Sequence, residues 1–232
     1  MDLQKFYENE AEREVLWGTP REKCLIEHIM RAVPAHVGSV LDAGCGDGYL
    51  LAALGKSRAR IVDGLDCSFV RLRSLVKRLP WARVVQGKAE ALPYKERSFD
   101  LVVASEVLEH IPDYSSALKE LIRATRRDLV ITVPNEQKVR RLVCPRCDGE
   151  LFLDGHLHCF SATELTEMFH AHPEMELVRL KRFHTIYSYN SVTWRLPRML
   201  RMFFDSCLVS LSRWVPFFKP NYILVHLTRK RR

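Results

Sequence analysis

Apolar positions in this chain gather into short unbroken runs, and stretches of helical periodicity separate them. Val37–Leu41, Arg60–Asp66, Ala82–Gln86, Ser98–Ser105 and Asp128–Pro134 read as five strands. Val37–Leu41 reads as a short buried strand, and the continuous apolar character of Asn221–Thr228 likewise fits a buried position. Between them, Tyr49–Leu54, Ser68–Pro80 (with Val70, Leu72, Leu75 and Val76) and Tyr114–Arg127 (with Leu118, Leu121 and Ile122) carry apolar residues at helical spacing. Strand and helix in alternation predict an α/β fold built on a doubly wound parallel sheet. Upstream, Asp2–Trp17 and Arg21–Val33 read as helices, the second aligning Cys24, Leu25, Ile29 and Met30. Downstream, Ser161-Ala-Thr-Glu164 is a capping box that opens a helix to about His170. Glu174–Arg182 and Asn221–Thr228 read as two more strands, and Arg195–Trp214 as a helix between them.

The first strand runs straight into Asp42-Ala43-Gly44-Cys45-Gly46-Asp47-Gly48. Strand, glycine turn and helix in succession let a backbone approach a nucleotide closely, because glycine has no Cβ and tolerates positive φ. The spacing is G-x-G-x-G rather than that of the dinucleotide fingerprint, and Asp42 stands two residues before the first glycine. A carboxylate there repels a pyrophosphate but suits a ligand that carries an amino acid with a cationic centre. Asp66, 22 residues beyond Gly44 at the end of the second strand, stands where an acid accepts hydrogen bonds from ribose hydroxyls.

These residues resemble motif I of the class I S-adenosylmethionine-dependent methyltransferases, of the methyltransferase type 11/12 kind. The resemblance covers about residues 37–135, with weaker similarity beyond. It implies a Rossmann-like seven-stranded sheet whose last strand runs antiparallel beside the fifth. It also implies a cofactor cradle of Asp42, Gly44, Cys45, Gly46 and Gly48, with Asp66 and Cys67 at the ribose. Gly87-Lys-Ala-Glu-Ala-Leu-Pro-Tyr94 is similar to the family segment that meets adenine. The family's acid is Lys88 here, which cannot accept a hydrogen bond, so Ala89 and Glu90 are the expected contacts, through their backbone. Ser105 is implied beside the cofactor and His110 near the acceptor, as the candidate base. Glu106, Glu109 and His110 resemble the acid-acid-histidine set with which ubiquinone-pathway O-methyltransferases are thought to hold a divalent ion.

After Asn135 comes a cysteine and histidine insertion. Cys144-Pro-Arg-Cys147 followed by His156-Leu-His158-Cys159 has the composition of a zinc knuckle, with Cys144, Cys147, His156 and Cys159 as candidate ligands of a structural Zn2+. A redox pair and buried apolar cysteines are the other readings. Gly155-His156…Phe160 also resembles a Gly-His-x-x-x-Phe segment of many methyltransferases, which makes His156 a second catalytic candidate near the acceptor. The organisation expected is helices covering the cofactor site at 1–36, the S-adenosylmethionine-binding core at 37–135, the insertion at 136–160, and the C-terminal half of the sheet at 161–232.

Charge adds a possible partner. The net charge is +8, and from Arg179 to Arg232 twelve Lys and Arg face the single acid Asp205. A basic face on Arg195–Trp214 and the tail Arg229–Arg232 suit an anionic partner: a membrane surface touched peripherally, a phosphate-bearing substrate or nucleic acid. Seven cysteines, an odd number, and a polar N-terminus favour the cytoplasm, including the inner face of the membrane. The leading expectation is a methyltransferase acting on a small-molecule or lipid-linked acceptor, with O-methylation first. A nucleic-acid methyltransferase and a non-catalytic scaffold are the alternatives; no Asn-Pro-Pro-Tyr-like segment follows the fourth strand.

Overall fold

The structure is a computed structural model that describes residues 19–55, 59, 61–143, 150–152, 155–185, 200 and 220–230. Cys144, Cys147, Asp2–Trp17, nearly all of Arg195–Trp214 and the end of the basic tail lie outside the described residues.

A seven-stranded sheet organises the chain. It comprises β1 (Ser39–Ala43), β2 (Ile61–Asp66), β3 (Arg83–Gln86), β4 (Phe99–Ser105), β5 (Thr125–Pro134), β8 (Met175–Phe183) and β9 (Tyr222–Arg229). Two short strands, β6 (Arg141–Val143) and β7 (Glu150–Phe152), pair separately as an antiparallel ribbon. The spatial order is β3-β2-β1-β4-β5-β9-β8. Strands β1 to β5 pair in parallel, and β9 is antiparallel to both β5 and β8. The seven-stranded α/β expectation holds, including the antiparallel last strand beside the fifth.

Burial explains the central strands, while the edge strands β3 and β8 are largely exposed. Every residue of β1 is buried, because helices cover both faces of the sheet. Helices α1 (Pro20–Ala32), α2 (Tyr49–Gly55) and α3 (Phe69–Arg78) place Leu25, Ile29, Leu51, Leu54, Leu72 and Leu75 on one face. Helices α4 (Tyr114–Ala124) and α5 (Ala162–His170) place Leu118, Leu121, Ile122, Leu165 and Phe169 on the other. Caps set the helix starts: Thr19 and Glu22 form a capping box on α1, Ser68 caps α3, and Ser161 with Glu164 makes the expected box on α5.

One boundary differs from the periodicity. The helical pattern extends to Arg127, yet α4 ends at Ala124 and β5 begins at Thr125. Thr125 is fully buried; its hydroxyl donates to the Leu121 carbonyl at 2.7 Å, and its backbone pairs with Phe99. Strand pairing captures a β-branched residue that helical periodicity alone leaves in the helix.

Chain order reverses between β1 and β4, the first going on to β2 and the second to β5. The crevice at the carboxyl ends of these two strands is the switch point, where open α/β sheets bind ligands.

Candidate active site

The glycine turn is anchored to the end of β2. The amides of Gly44 and Cys45 both donate to the Leu65 carbonyl, at 2.7 and 2.9 Å. Gly46 N–H donates to Asp66 Oδ2 and Ser68 N–H to Asp66 Oδ1, each at 2.8 Å. These bonds demand a left-handed backbone, and Gly44, Gly46 and Gly48 have φ of 85°, 50° and 84°. A Cβ on Gly44 would lie 2.3 Å from Val107 Cγ2. Gly44→Ala is therefore expected to cost about 2–4 kcal/mol from backbone strain and overpacking, a fall of roughly 5–15 °C in Tm by calorimetry. An unchanged melting temperature would contradict this packing.

Two buried acids face the same space. Asp42 is 1% exposed, and its Oδ2 has no hydrogen-bond partner among the described residues. Burial, reinforced by the nearby Asp66 carboxylate, pushes its pKa up to about 8. Burial also raises Asp66, against the pull of the Ser68 and Gly46 amides. Desolvation lifts both neighbouring thiols, Cys67 to about 11 and Cys45 well above its usual range. They are wall atoms rather than nucleophiles.

These groups line a cavity of about 640 Å³ at the switch point. From the first half of the sheet come Asp42, Gly44, Cys45, Gly46, Asp66 and Cys67, with Ala89 and Glu90 after β3. Ser105, at the end of β4, also lines it and shares a 2.9 Å hydrogen bond with Thr132. His110 and His156 also line the cavity. Gly48 is the exception among the expected cradle residues. It is not in the lining, and a Cβ there would sit 2.7 Å from Leu75 Cγ, so its role is close packing of the turn on α3.

Two lining residues, Arg21 and Tyr222, escape sequence reasoning. Arg21 on α1 donates to Glu106 and to the Tyr222 hydroxyl, and Tyr222 donates to Glu106 in turn. The guanidinium lies 5.5 Å from the centroid of the Tyr222 ring. Glu106 adopts a left-handed φ of 56°, held by its N–H on the Thr132 carbonyl at 2.9 Å. A usable signal exists for Tyr222. In an antiparallel strand beside β5 the first residues stand at the carboxyl ends of the parallel strands, next to the ligand.

On the His110 side of the cavity, Leu108–His110 form one 3-10 turn. The Glu109 carbonyl accepts from Leu157 and His158 N–H at 2.7 and 3.2 Å, and His158 Nε2 lies 2.9 Å from the Ile111 carbonyl. This clamp draws segment 155–160 against the turn and brings the His110 and His156 rings to 4.8 Å, edge to face. His156 thus sits buried in the cavity wall, while Cys159 is exposed. Among the described residues, the metal-capable group that His156 joins is Glu109 and His110, not Cys159. The acid-acid-histidine set implied by the resemblance does not assemble as such, because Glu106 is engaged by Arg21 and Tyr222. No described helix is long and apolar enough to cross a membrane.

Comparison with known proteins agrees with this geometry. Residues 16–172 match a family model described as a methyltransferase domain. The chain is 33% identical over 129 residues to a probable S-adenosylmethionine-dependent methyltransferase of Mycolicibacterium smegmatis, covering 56% of this chain and 49% of that protein. It is 35% identical over 100 residues to a malonyl-[acyl-carrier protein] O-methyltransferase of Halorhodospira halophila, covering 41% and 34%. These matches span about half or less of the relatives' own length. A solved S-adenosylmethionine-dependent methyltransferase from Mesorhizobium loti shares the fold at a TM-score of 0.63 and 15% identity, over 91% of this chain and 99% of that one. The chain belongs to the methyltransferase domain family, in its class I S-adenosylmethionine-dependent form.

Proposed function

We propose that the chain transfers a methyl group from S-adenosylmethionine to an oxygen of a small-molecule or lipid-linked acceptor. One observation carries the reading. A single cavity is lined by the glycine turn, by buried Asp42, whose Oδ2 has no hydrogen-bond partner among the described residues, and by the His110–His156 pair. The residues fit the cofactor. Asp42 offers a buried anionic seat for the methionyl ammonium, the turn leaves backbone room, Asp66 suits the ribose, and Ala89 and Glu90 suit adenine. When bound, the cofactor supplies an electrophilic methyl on a sulfonium, so the protein's work is mainly alignment and exclusion of water. Ser105, fixed on Thr132, shapes the wall between donor and acceptor. His110 and His156 stand where an acceptor hydroxyl would lose its proton. The Halorhodospira relative, a malonyl-[acyl-carrier protein] O-methyltransferase, supports oxygen as acceptor atom and a carrier-linked substrate.

The experiment is calorimetric titration of S-adenosylmethionine and S-adenosylhomocysteine. A radiomethyl screen against lipid extracts, quinol precursors, acyl carrier thioesters and RNA follows. Label in an organic-extractable ester or ether supports the reading. Label confined to RNA selects the nucleic-acid alternative, and cofactor binding with no label anywhere selects the scaffold. The structural zinc proposed for Cys144 and Cys147 is checked on the same sample by metal content.

Asp42 adds a pH signature. Its folded pKa, about 8, lies well above the ordinary carboxylate range, so the free protein holds this proton near neutrality. Without ligand, this group's contribution to stability therefore falls as pH rises from about 4 to about 8. A cationic ligand favours the ionised form and expels the proton. Below pH 7.5, before the ligand's own amine deprotonates, affinity should rise with pH by at most about tenfold per unit. Calorimetry in buffers of different ionisation enthalpy should show release of up to one proton at pH 7, absent in Asp42→Asn. Equal proton release by both proteins would contradict this assignment.

A further inference from the structure

The geometry points to a divalent transition-metal site made by Glu109, His110 and His156 on the acceptor wall of the cavity. Each residue offers one ligand atom, and these atoms all lie within 4.8 Å of one another. Three independent features show a built site rather than a chance cluster. First, Glu109 is 1% exposed, and neither of its carboxylate oxygens has a hydrogen-bond partner among the described residues. A carboxylate buried this way is costly unless something cationic or protic meets it. Second, His110 Nδ1 lies 3.1 Å from the Gly155 carbonyl. A carbonyl partner assigns the proton to Nδ1, the outer-shell arrangement that orients metal-bound histidines. Third, the ligand-bearing segments are tied by bonds that need no metal: Leu157 and His158 N–H to the Glu109 carbonyl, and His158 to the Ile111 carbonyl.

The donor set selects the ion. Two imidazoles and one carboxylate suit zinc-like first-row ions, whereas magnesium and calcium favour all-oxygen shells. The set is not the acid-acid-histidine one of the resemblance, since Glu106 is held by Arg21 and Tyr222 and His156 enters instead from 46 residues beyond the 3-10 turn. Three protein ligands leave positions open toward the cavity that His110 and His156 line. An acceptor hydroxyl placed there would lose its proton more readily. That proton leaves to solvent, the oxygen forms the new C–O bond, and the sulfonium C–S bond breaks with its electron pair on sulfur, giving S-adenosylhomocysteine. This use of the ion rests on the O-methylation reading; its binding does not.

The test uses the full chain carrying Cys144→Ser and Cys147→Ser, which removes the other candidate metal site. The protein is stripped with chelator and titrated with Co2+, then Zn2+. One Co2+ per chain is expected, with visible d–d absorption, no thiolate-to-cobalt charge transfer, and displacement by Zn2+. In the same background, His156→Ala and Glu109→Gln should each weaken Co2+ binding by about a hundredfold or more, while S-adenosylmethionine still binds. No Co2+ binding by a chain that retains cofactor binding overturns the site, as does Co2+ affinity unmoved by His156→Ala. If the serine variant does not fold, the wild-type chain is used. His156→Ala should then remove one equivalent of non-thiolate Co2+; a wild-type spectrum that is wholly thiolate-based overturns the proposal. Loss of cofactor binding by the wild type would instead strike the methyltransferase reading, so the two failures are distinguishable.

Discussion

Asp66→Ala is expected to weaken S-adenosylmethionine binding by about two orders of magnitude or more. The carboxylate does two things at once. It holds the glycine turn through Gly46 and Ser68, both at 2.8 Å, and in the proposed complex it accepts the ribose hydroxyls. Hydrogen bonds to a charged acceptor contribute about 1.5–3 kcal/mol each, and losing two of them corresponds to roughly 10²–10⁴ in Kd. Folding should suffer less. The Asp66 pKa is raised by burial, so the ionised carboxylate is a net cost to the free protein at neutral pH, and that cost grows as pH rises above the unfolded value. Calorimetric titration of wild type, Asp66→Ala and Asp66→Asn, with melting curves on each, separates the two roles. Asparagine keeps one acceptor and should fall between the others. A Kd for Asp66→Ala within a few-fold of wild type would remove Asp66 from the cofactor site.

His110→Ala should lower turnover of the acceptor found in the screen by about 10²–10⁴, the range for loss of a group that handles the acceptor proton. Cofactor affinity should stay within a few-fold, because the ring belongs to the wall opposite the glycine turn. His156→Ala should behave alike, since the two rings share one edge of the cavity. The combined variant should lose little more than either alone, as expected for residues that act as a unit. Single-turnover rates at saturating cofactor decide the matter. Undiminished turnover across pH in His110→Ala would take that side chain out of the mechanism, whether as base or as ligand.

Much of the fold was legible from local patterns. Apolar runs mark the central strands, which are buried, although the edge strand β3 is largely exposed. The three glycines announce a left-handed turn, and Ser68 and the Ser161–Glu164 box mark helix starts that the structure reproduces. The Asp66 spacing follows because a βαβ unit has a nearly constant length, so its second strand ends beside the first turn. Thr125 shows where locality fails. Helical periodicity reaches Arg127, but pairing with Phe99 decides the boundary at Thr125.

The glycine-turn side of the cavity was legible in the sequence, and the His110–His156 side only partly. Asp42, the glycine turn and Asp66 lie within 25 residues of chain, and the steric needs of that turn are written in residues next to one another. His156, in contrast, reads equally as a knuckle ligand beside Cys144 and Cys147 or as an acceptor-side residue. Its burial against His110 is decided by two amides on the Glu109 carbonyl. The Arg21–Glu106–Tyr222 contact joins three elements that span 201 positions. By itself the sequence determined the α/β class and the glycine turn with its neighbouring acids, because propensity, periodicity and positive φ act over a few residues. Only the tertiary structure decided which side chains converge on the acceptor wall. That convergence depends on strand order and on backbone bonds between distant segments, which no local pattern encodes.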